Sequence, residues 1–123
     1  LIETATQFLN APYLWGGRTH FGIDCSGLTQ AVFKLHAIKI LRDASQQAQQ
    51  GEPVENIADA QAGDLAFFEN KDGRITHVGI MLDNETIIHA SGKVKINRID
   101  EWGIYSDELQ RYTHKLSWIK RFV

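Results

Sequence analysis

The chain carries one cysteine, Cys25, and five histidines, His20, His36, His77, His89 and His114. A thiolate is a nucleophile, and an imidazole is the side chain best suited to move a proton near neutral pH. Cys25 stands in Asp24-Cys25-Ser26-Gly27-Leu28, at the head of an apolar stripe formed by Leu28, Ala31, Val32 and Leu35. The i, i+3, i+4, i+7 spacing of that stripe predicts a helix over 24–36. Asp24 suits the N-cap, so Cys25 falls in the first turn. There the helix dipole and the unpaired N–H groups favour the thiolate and predict a lowered thiol pKa, and the same N–H groups suit an oxyanion. Its neighbours are small or polar. The preceding stretch 11–23 holds glycines and the aromatics Tyr13, Trp15 and Phe21, and predicts a loop beside a cleft. The competing reading is the commoner one for a lone cysteine, a small buried hydrophobe.

A cysteine nucleophile needs a base. His36 lies late in the predicted helix, where a cation is favoured, so a structural role suffices. His20 in the loop and His114 in a polar segment read as solvated. His77 and His89 lie in apolar strands, His77-Val78-Gly79-Ile80-Met81-Leu82 and Thr86-Ile87-Ile88-His89-Ala90. Side chains alternate faces along a strand, so the connecting loop decides whether the two rings meet. A two-residue turn at Asp83-Asn84 puts them on opposite faces. A three-residue loop, Asp83-Asn84-Glu85, pairs Leu82 with Thr86 and Gly79 with His89, and makes the rings diagonal neighbours on one face. We expect the longer loop, with Asn84 in the left-handed region. Gly79 then leaves room for the rings, while Val78, Ile80, Leu82 and Ile88 face the core. In that arrangement Cys25 attacks a carbonyl, His77 moves the proton, and His89 orients His77.

The elements that must position these groups follow from the rest of the chain. Ile2, Ala5, Phe8 and Leu9 mark an amphipathic first helix, and 43–50 a short polar helix ending at Gly51. Residues 51–63 read as connector. Strands are expected at 64–68, 76–82, 86–90, 93–99 and 116–123, with a helical turn near 105–109. In 93–99, Val94, Ile96 and Arg98 are expected to face inward, against Lys93, Lys95 and Asn97. Helices first and strands second favour α+β with an antiparallel sheet. The 123 residues make one domain, large enough to bury roughly two-thirds of its unfolded surface without a metal or disulfide staple. One cysteine excludes an internal disulfide. A net charge of −2 argues against a nucleic-acid binder, and no apolar run approaches the ~18 residues of a membrane span.

Six motifs in order carry a resemblance. They are Pro12-Tyr13-Leu14-Trp15-Gly16-Gly17, Asp24-Cys25-Ser26-Gly27-Leu28, Arg42-Asp43-Ala44-Ser45-Gln46-Gln47, Ala62-Gly63-Asp64-Leu65-Ala66-Phe67-Phe68, His77-Val78-Gly79-Ile80 and Ile88-His89-Ala90-Ser91. With them the chain resembles the NlpC-type cysteine peptidases of bacterial cell walls. The resemblance implies a papain-like α+β fold, with the cysteine helix packed on an antiparallel sheet. It implies hydrolysis of peptidoglycan stem peptides between D-γ-glutamate and a diamino acid, with Cys25, His77 and His89 as nucleophile, base and orienting residue, and no cofactor or metal. The motifs look most like members that cut after L-Ala-γ-D-Glu, which carry SH3-like domains ahead of the catalytic one. Residues 1–123 are then expected to be a catalytic domain cut from a longer chain. That chain is expected to be monomeric and to act in the bacterial envelope, periplasmic or secreted, or in cytoplasmic recycling. One departure is Ile40-Leu41-Arg42, where the family often has Leu-Pro-Arg.

For substrate the candidates are Arg42, to pair with the free α-carboxylate of the γ-glutamyl residue, and Asp24 and Asp43, to hold an alanine ammonium. Ser26 is a candidate for contact with substrate or backbone, and Tyr13 and Trp15 for the cleft wall. Bland roles compete: an ion pair for Arg42, an N-cap for Asp24, core plugs for the aromatics. Three other readings stay open. One is a related Cys/His amidase for a different wall amide. Another is a wall-peptide binding module without catalysis. The last is zinc on Cys25, His77 and His89, which lacks an obvious carboxylate behind its ligands.

Overall fold

The structure is a computed structural model that describes residues 2–10, 18–19, 22–36, 38 and 40–122. In chain order the elements are α1 (Ile2–Thr6), β1 (Arg18–Thr19), β2 (Gly22–Ile23), α2 (Cys25–Leu35), α3 (Ala44–Gln47), β3 (Glu52–Pro53), a 3-10 turn (Ile57–Asp59), β4 (Leu65–Glu69), β5 (Ile75–Met81), β6 (Thr86–Ser91), β7 (Lys93–Ile99), β8 (Gly103–Ser106) and β9 (Arg111–Arg121). Among the described residues no helix is long and apolar enough to cross a membrane.

The expected antiparallel sheet forms, and it closes. β4 to β8 pair in sequence, and β9 pairs with both β8 and β4, so six strands make an antiparallel barrel, with β3 paired to the end of β9. Closure explains why β4, β5 and β6 are buried along nearly their whole length, since each has one face in the barrel and one under the helices. Ala66, Phe68, Met81, Ile87, Ile99, Ile104 and Ile119 fill the barrel. Leu65, Phe67, Val78, Ile80, Ile88, Ala90 and Val94 form the outer core with Ala5, Phe8, Leu28, Val32 and Phe33 of the helical layer. The stripe on α2 is used only as far as Phe33: Leu35, expected in the core, is 68% exposed. Periodicity marks a face, but it does not say how far along that face something covers it. The same limit applies to Leu9, at 36% exposure.

Two segments depart from the sequence reading. Residues 103–106 are strand β8, with Ile104 fully buried in the barrel, and the turn expected near 105–109 falls at 107–110. Strand β9 starts at Arg111, five residues earlier than expected. The second difference has a cause in the strand itself. β9 carries an extra residue at Thr113 against β8 and at Ser117 against β4. Each extra residue breaks the period-two alternation by which a strand is read. In β7 the faces are the reverse of those expected. Ile96 is 44% exposed, while Asn97 and Ile99 turn toward the barrel. Only Val94 of the expected inner set lies under the helical layer.

Candidate active site

The thiol sits where the helix start meets an open stretch of strand. Asp24 caps α2, its Oδ1 accepting from the Gly27 N–H at 2.6 Å, as expected of an N-cap. Cys25 is the first helical residue and is 8% exposed. β5 pairs with β4 from Ile75 to Ile80 but with β6 only from Gly79 to Met81. By alternation the Val78 N–H faces the β6 side, as does the Leu82 N–H that bonds Thr86. Among the described residues β6 pairs none with Val78, whose N–H turns to the Cys25 sulfur instead. Its S–H lies 3.8 Å from the Thr76 carbonyl, and the Val78 N–H donates to it. Thr76 is also the extra residue of β5 against β4. The sulfur therefore rests on the backbone either side of His77.

Burial pushes the Cys25 thiol above its ordinary value of 9.0, and the Asp24 carboxylate adds to that. The N–H groups of Val78, Ser26 and Cys25 oppose the shift without cancelling it. This reverses the lowered pKa expected from the helix start. The helix N–H groups do favour the anion, but a nearly buried sulfur beside a carboxylate loses more in desolvation than they return.

The hairpin forms in the expected register: Gly79 pairs with His89, Ile80 with Ile88, and the Leu82 N–H donates to Thr86. Asn84 is not in the left-handed region. Instead the Asp83 carboxylate closes the loop by accepting from the N–H groups of Glu85 and Thr86 and from the Thr86 hydroxyl. On the barrel face, His77 Nε2 and His89 Nδ1 are 2.8 Å apart, and His89 Nε2 is 2.7 Å from Asn97 Oδ1. The Asn97 oxygen only accepts, so His89 carries its proton on Nε2. Its Nδ1 is then a lone pair that accepts from His77 Nε2–H, and the basic nitrogen of His77 is Nδ1. His114 stacks on His77 at 4.1 Å between centroids, and Phe68 stands 5.6 Å from the same ring. Burial first, then the neighbouring imidazoles and Lys95, hold His77 well below its ordinary 6.5. Burial likewise lowers His89 to about 4 against the opposing pull of Asn97, and it lowers His114 to about 4. All three rings are neutral at pH 7.

These imidazoles bring ring nitrogens within 4.8 Å of one another. They do not make a good metal centre. The facing nitrogens of His77 and His89 are spent on each other, and the rings of His77 and His114 lie within 24° of parallel, so their lone pairs do not converge on one point. Cys25 is not part of the cluster.

Residues 10–114 match the NlpC/P60 family. The chain belongs to that family. It is 41% identical over 114 residues to the gamma-D-glutamyl-L-lysine dipeptidyl-peptidase of Bacillus subtilis, covering 89% of this chain and 38% of that protein. It is 36% identical over 106 residues to dipeptidyl-peptidase 6 of Lysinibacillus sphaericus, covering 82% and 36%. Among solved structures, an NlpC/P60 family protein from Bacillus cereus superposes with a TM-score of 0.83 at 30% identity, covering 98% of this chain and 38% of that one. The NlpC/p60 domain of the peptidoglycan hydrolase SagA gives 0.74 at 27% identity, covering 98% and 94%. This chain thus spans well under half the length of the curated relatives it matches.

In this NlpC/P60 chain the remaining candidates divide. Arg42 places NH1 2.7 Å from Ser26 Oγ and NH2 2.9 Å from Asp24 Oδ2, so the three form one cluster beside Cys25. The ion-pair role of Arg42 and the capping role of Asp24 are therefore both real. Asp43 precedes α3, is exposed, and takes the Gln46 side-chain oxygen on its N–H at 3.2 Å. Tyr13, Trp15 and His20 lie outside the described residues. Three residues escaped the sequence reading. Gln47 is fully buried; its amide donates to Ser26 and Leu41 carbonyls and accepts from Thr29, tying the Arg42 loop to α2. At the departure from the family pattern, Leu41 donates its N–H to Gln50 at 2.9 Å, a bond proline cannot make. Asn97 had a signal: Gly92, at φ 74, makes a tight turn that sets Asn97 opposite Ile87, diagonal to His89. His114 had none, because the extra residues of β9 hid its face.

Proposed function

We propose that this chain is the catalytic domain of a cysteine peptidase that hydrolyses peptidoglycan stem peptides at the D-γ-glutamyl–L-diamino-acid bond. The observation that carries this is the thiol at the start of α2, resting on the backbone either side of a histidine whose tautomer is set by a second histidine and an asparagine. A nucleophile at a helix start, docked on the strand that carries a histidine, is what the papain-like reading expects. The names of the curated relatives support the choice of bond.

In the reaction, His77 Nδ1 takes the Cys25 proton as sulfur attacks the amide carbon. Both groups are neutral at rest, so proton transfer and attack proceed together. N–H groups at the start of α2 face the developing oxyanion. The C–N bond then breaks, and His77 returns the proton to the departing amine, leaving a thioester on Cys25. Water, deprotonated by His77, cleaves the thioester and restores the thiol. His89 holds the His77 ring and balances its transient charge. The Asp24–Ser26–Arg42 cluster forms the wall for the acyl half, where Arg42, held by its partners and still 29% exposed, presents its guanidinium to the γ-glutamyl α-carboxylate. Asp43, next in sequence to Arg42, is the candidate for the alanine ammonium. The substrate assigns the chain to the envelope or to wall-peptide recycling.

The test is incubation with L-Ala-γ-D-Glu-L-Lys and mass analysis of the products. L-Ala-D-Glu and free lysine are expected from the wild type and not from Cys25→Ser. Turnover by that variant, or release of alanine instead, would overturn the reading.

A further inference from the structure

The barrel mouth beside His77 opens into a groove of ≈ 1050 Å³. It begins at Thr76, whose carbonyl touches the Cys25 sulfur, and at His114, whose ring stacks on His77. Glu69, Lys71, Trp102 and Lys115 supply its charge and its apolar wall. Its lining shares no residue with the Asp24–Ser26–Arg42 cluster, and it meets the thiol and His77 through Thr76 and His114. The group that returns a proton to nitrogen must stand beside the leaving amine. On the proposed mechanism the leaving residue then lies past His77, at the His114 end of this groove.

The charges there are unequal in freedom. The Glu69 side chain is 23% exposed, and its ion pair to Lys115 is long, 3.9 Å, with the lysine 72% exposed. A pair this open contributes little and is readily exchanged for another cation. We propose that Glu69 is the specificity determinant of the leaving side: it accepts the side-chain ammonium of the residue just after the cut bond, in place of Lys115. Lys115, set free, meets the carboxylate that follows. The Trp102 indole, 69% exposed, lines the path of the ligand's methylene chain. Glu69, the one carboxylate among the described lining residues, is thus the group that reads the basic side chain of the proposed leaving residue. This assignment rests on His77 as proton donor to the leaving amine.

The test separates binding from turnover. The protein is titrated with L-Lys-D-Ala and with L-norleucyl-D-Ala, following the indole N–H resonance of Trp102. The wild type is expected to bind the lysyl dipeptide about fivefold more tightly, the scale of one half-sheltered ion pair. Glu69→Gln is expected to abolish that preference, and Lys115→Ala to keep it. Equal affinities in the wild type, a preference that survives Glu69→Gln, or an unmoved Trp102 resonance would overturn the proposal. Hydrolysis of the matching tripeptides is measured alongside. An intact binding preference without turnover supports the groove and refutes the peptidase reading. Turnover without any binding preference does the reverse.

Discussion

Asn97 carries the sharpest prediction, because it sets a proton that lies two residues away from the chemistry. Its oxygen, 2.7 Å from His89 Nε2, keeps the His89 proton on that nitrogen. The 2.8 Å bond from His77 Nε2 to His89 Nδ1 then leaves His77 Nδ1 basic. Asn97→Leu keeps the side-chain size and removes the acceptor. His89 Nε2–H would be left buried without a partner, at a cost of about 1–2 kcal/mol. The ring escapes that cost by moving its proton to Nδ1, where it faces the His77 Nε2–H. To avoid two opposed donors, His77 must shift its own proton to Nδ1 and stops being a base. A 1–2 kcal/mol bias toward the wrong tautomers lowers the competent population roughly 5–30-fold. The expected result is a fall in kcat of that size with KM nearly unchanged, because Asn97 lies behind the relay and not on the substrate walls. Asn97→Asp keeps an acceptor and should retain most of the rate. The assay is release of lysine from L-Ala-γ-D-Glu-L-Lys across substrate concentrations, with a thermal melt as control. A folded Asn97→Leu protein with wild-type kcat, or one altered only in KM, would refute the tautomer argument.

Three further outcomes follow from the same geometry. Alkylation of Cys25 by iodoacetamide should keep rising with pH through pH 9, because burial holds the thiol above its ordinary 9.0; a plateau near pH 6 would show a resting thiolate–imidazolium pair instead. His89 and His114 titrate near 4 in the folded chain and near 6.5 unfolded, so the unfolded state binds more protons between those values. Their contribution to stability is therefore full above pH 6.5 and lost as pH falls toward 4; urea midpoints should drop over that window, less steeply in His89→Gln, and a flat profile would contradict the buried neutral rings. Gly79→Ala places a methyl 2.7 Å from Ile87 Cδ1 and 2.9 Å from His89 Cβ, which should destabilise by about 1–3 kcal/mol and reduce kcat by displacing His89; an unchanged melt and rate would mean the hairpin has slack there.

Much of the site was legible in the residues. Asp24 followed by a small-residue turn and an apolar stripe predicts a capped helix starting at Cys25, because capping and periodicity act within a few residues. The Leu82–Thr86 loop length decided that His77 and His89 share a face, since parity along a hairpin is local arithmetic. The environment of those groups was not legible. The helix start alone argues for an acidic thiol; the depth at which α2 docks on β5 makes it a weak acid, and depth is a property of the packed layers.

Local order along the chain thus determined which element bears each candidate group and the register that joins the two imidazoles. Tertiary structure alone decided that the sheet closes into a barrel, that β9 brings His114 onto His77, and that Asn97 stands behind His89. The physical reason is range. Capping, periodicity and hairpin register depend on near neighbours, whereas barrel closure and the extra residues of β9 depend on partners tens of residues away, and each extra residue reverses the face on which every side chain before it points.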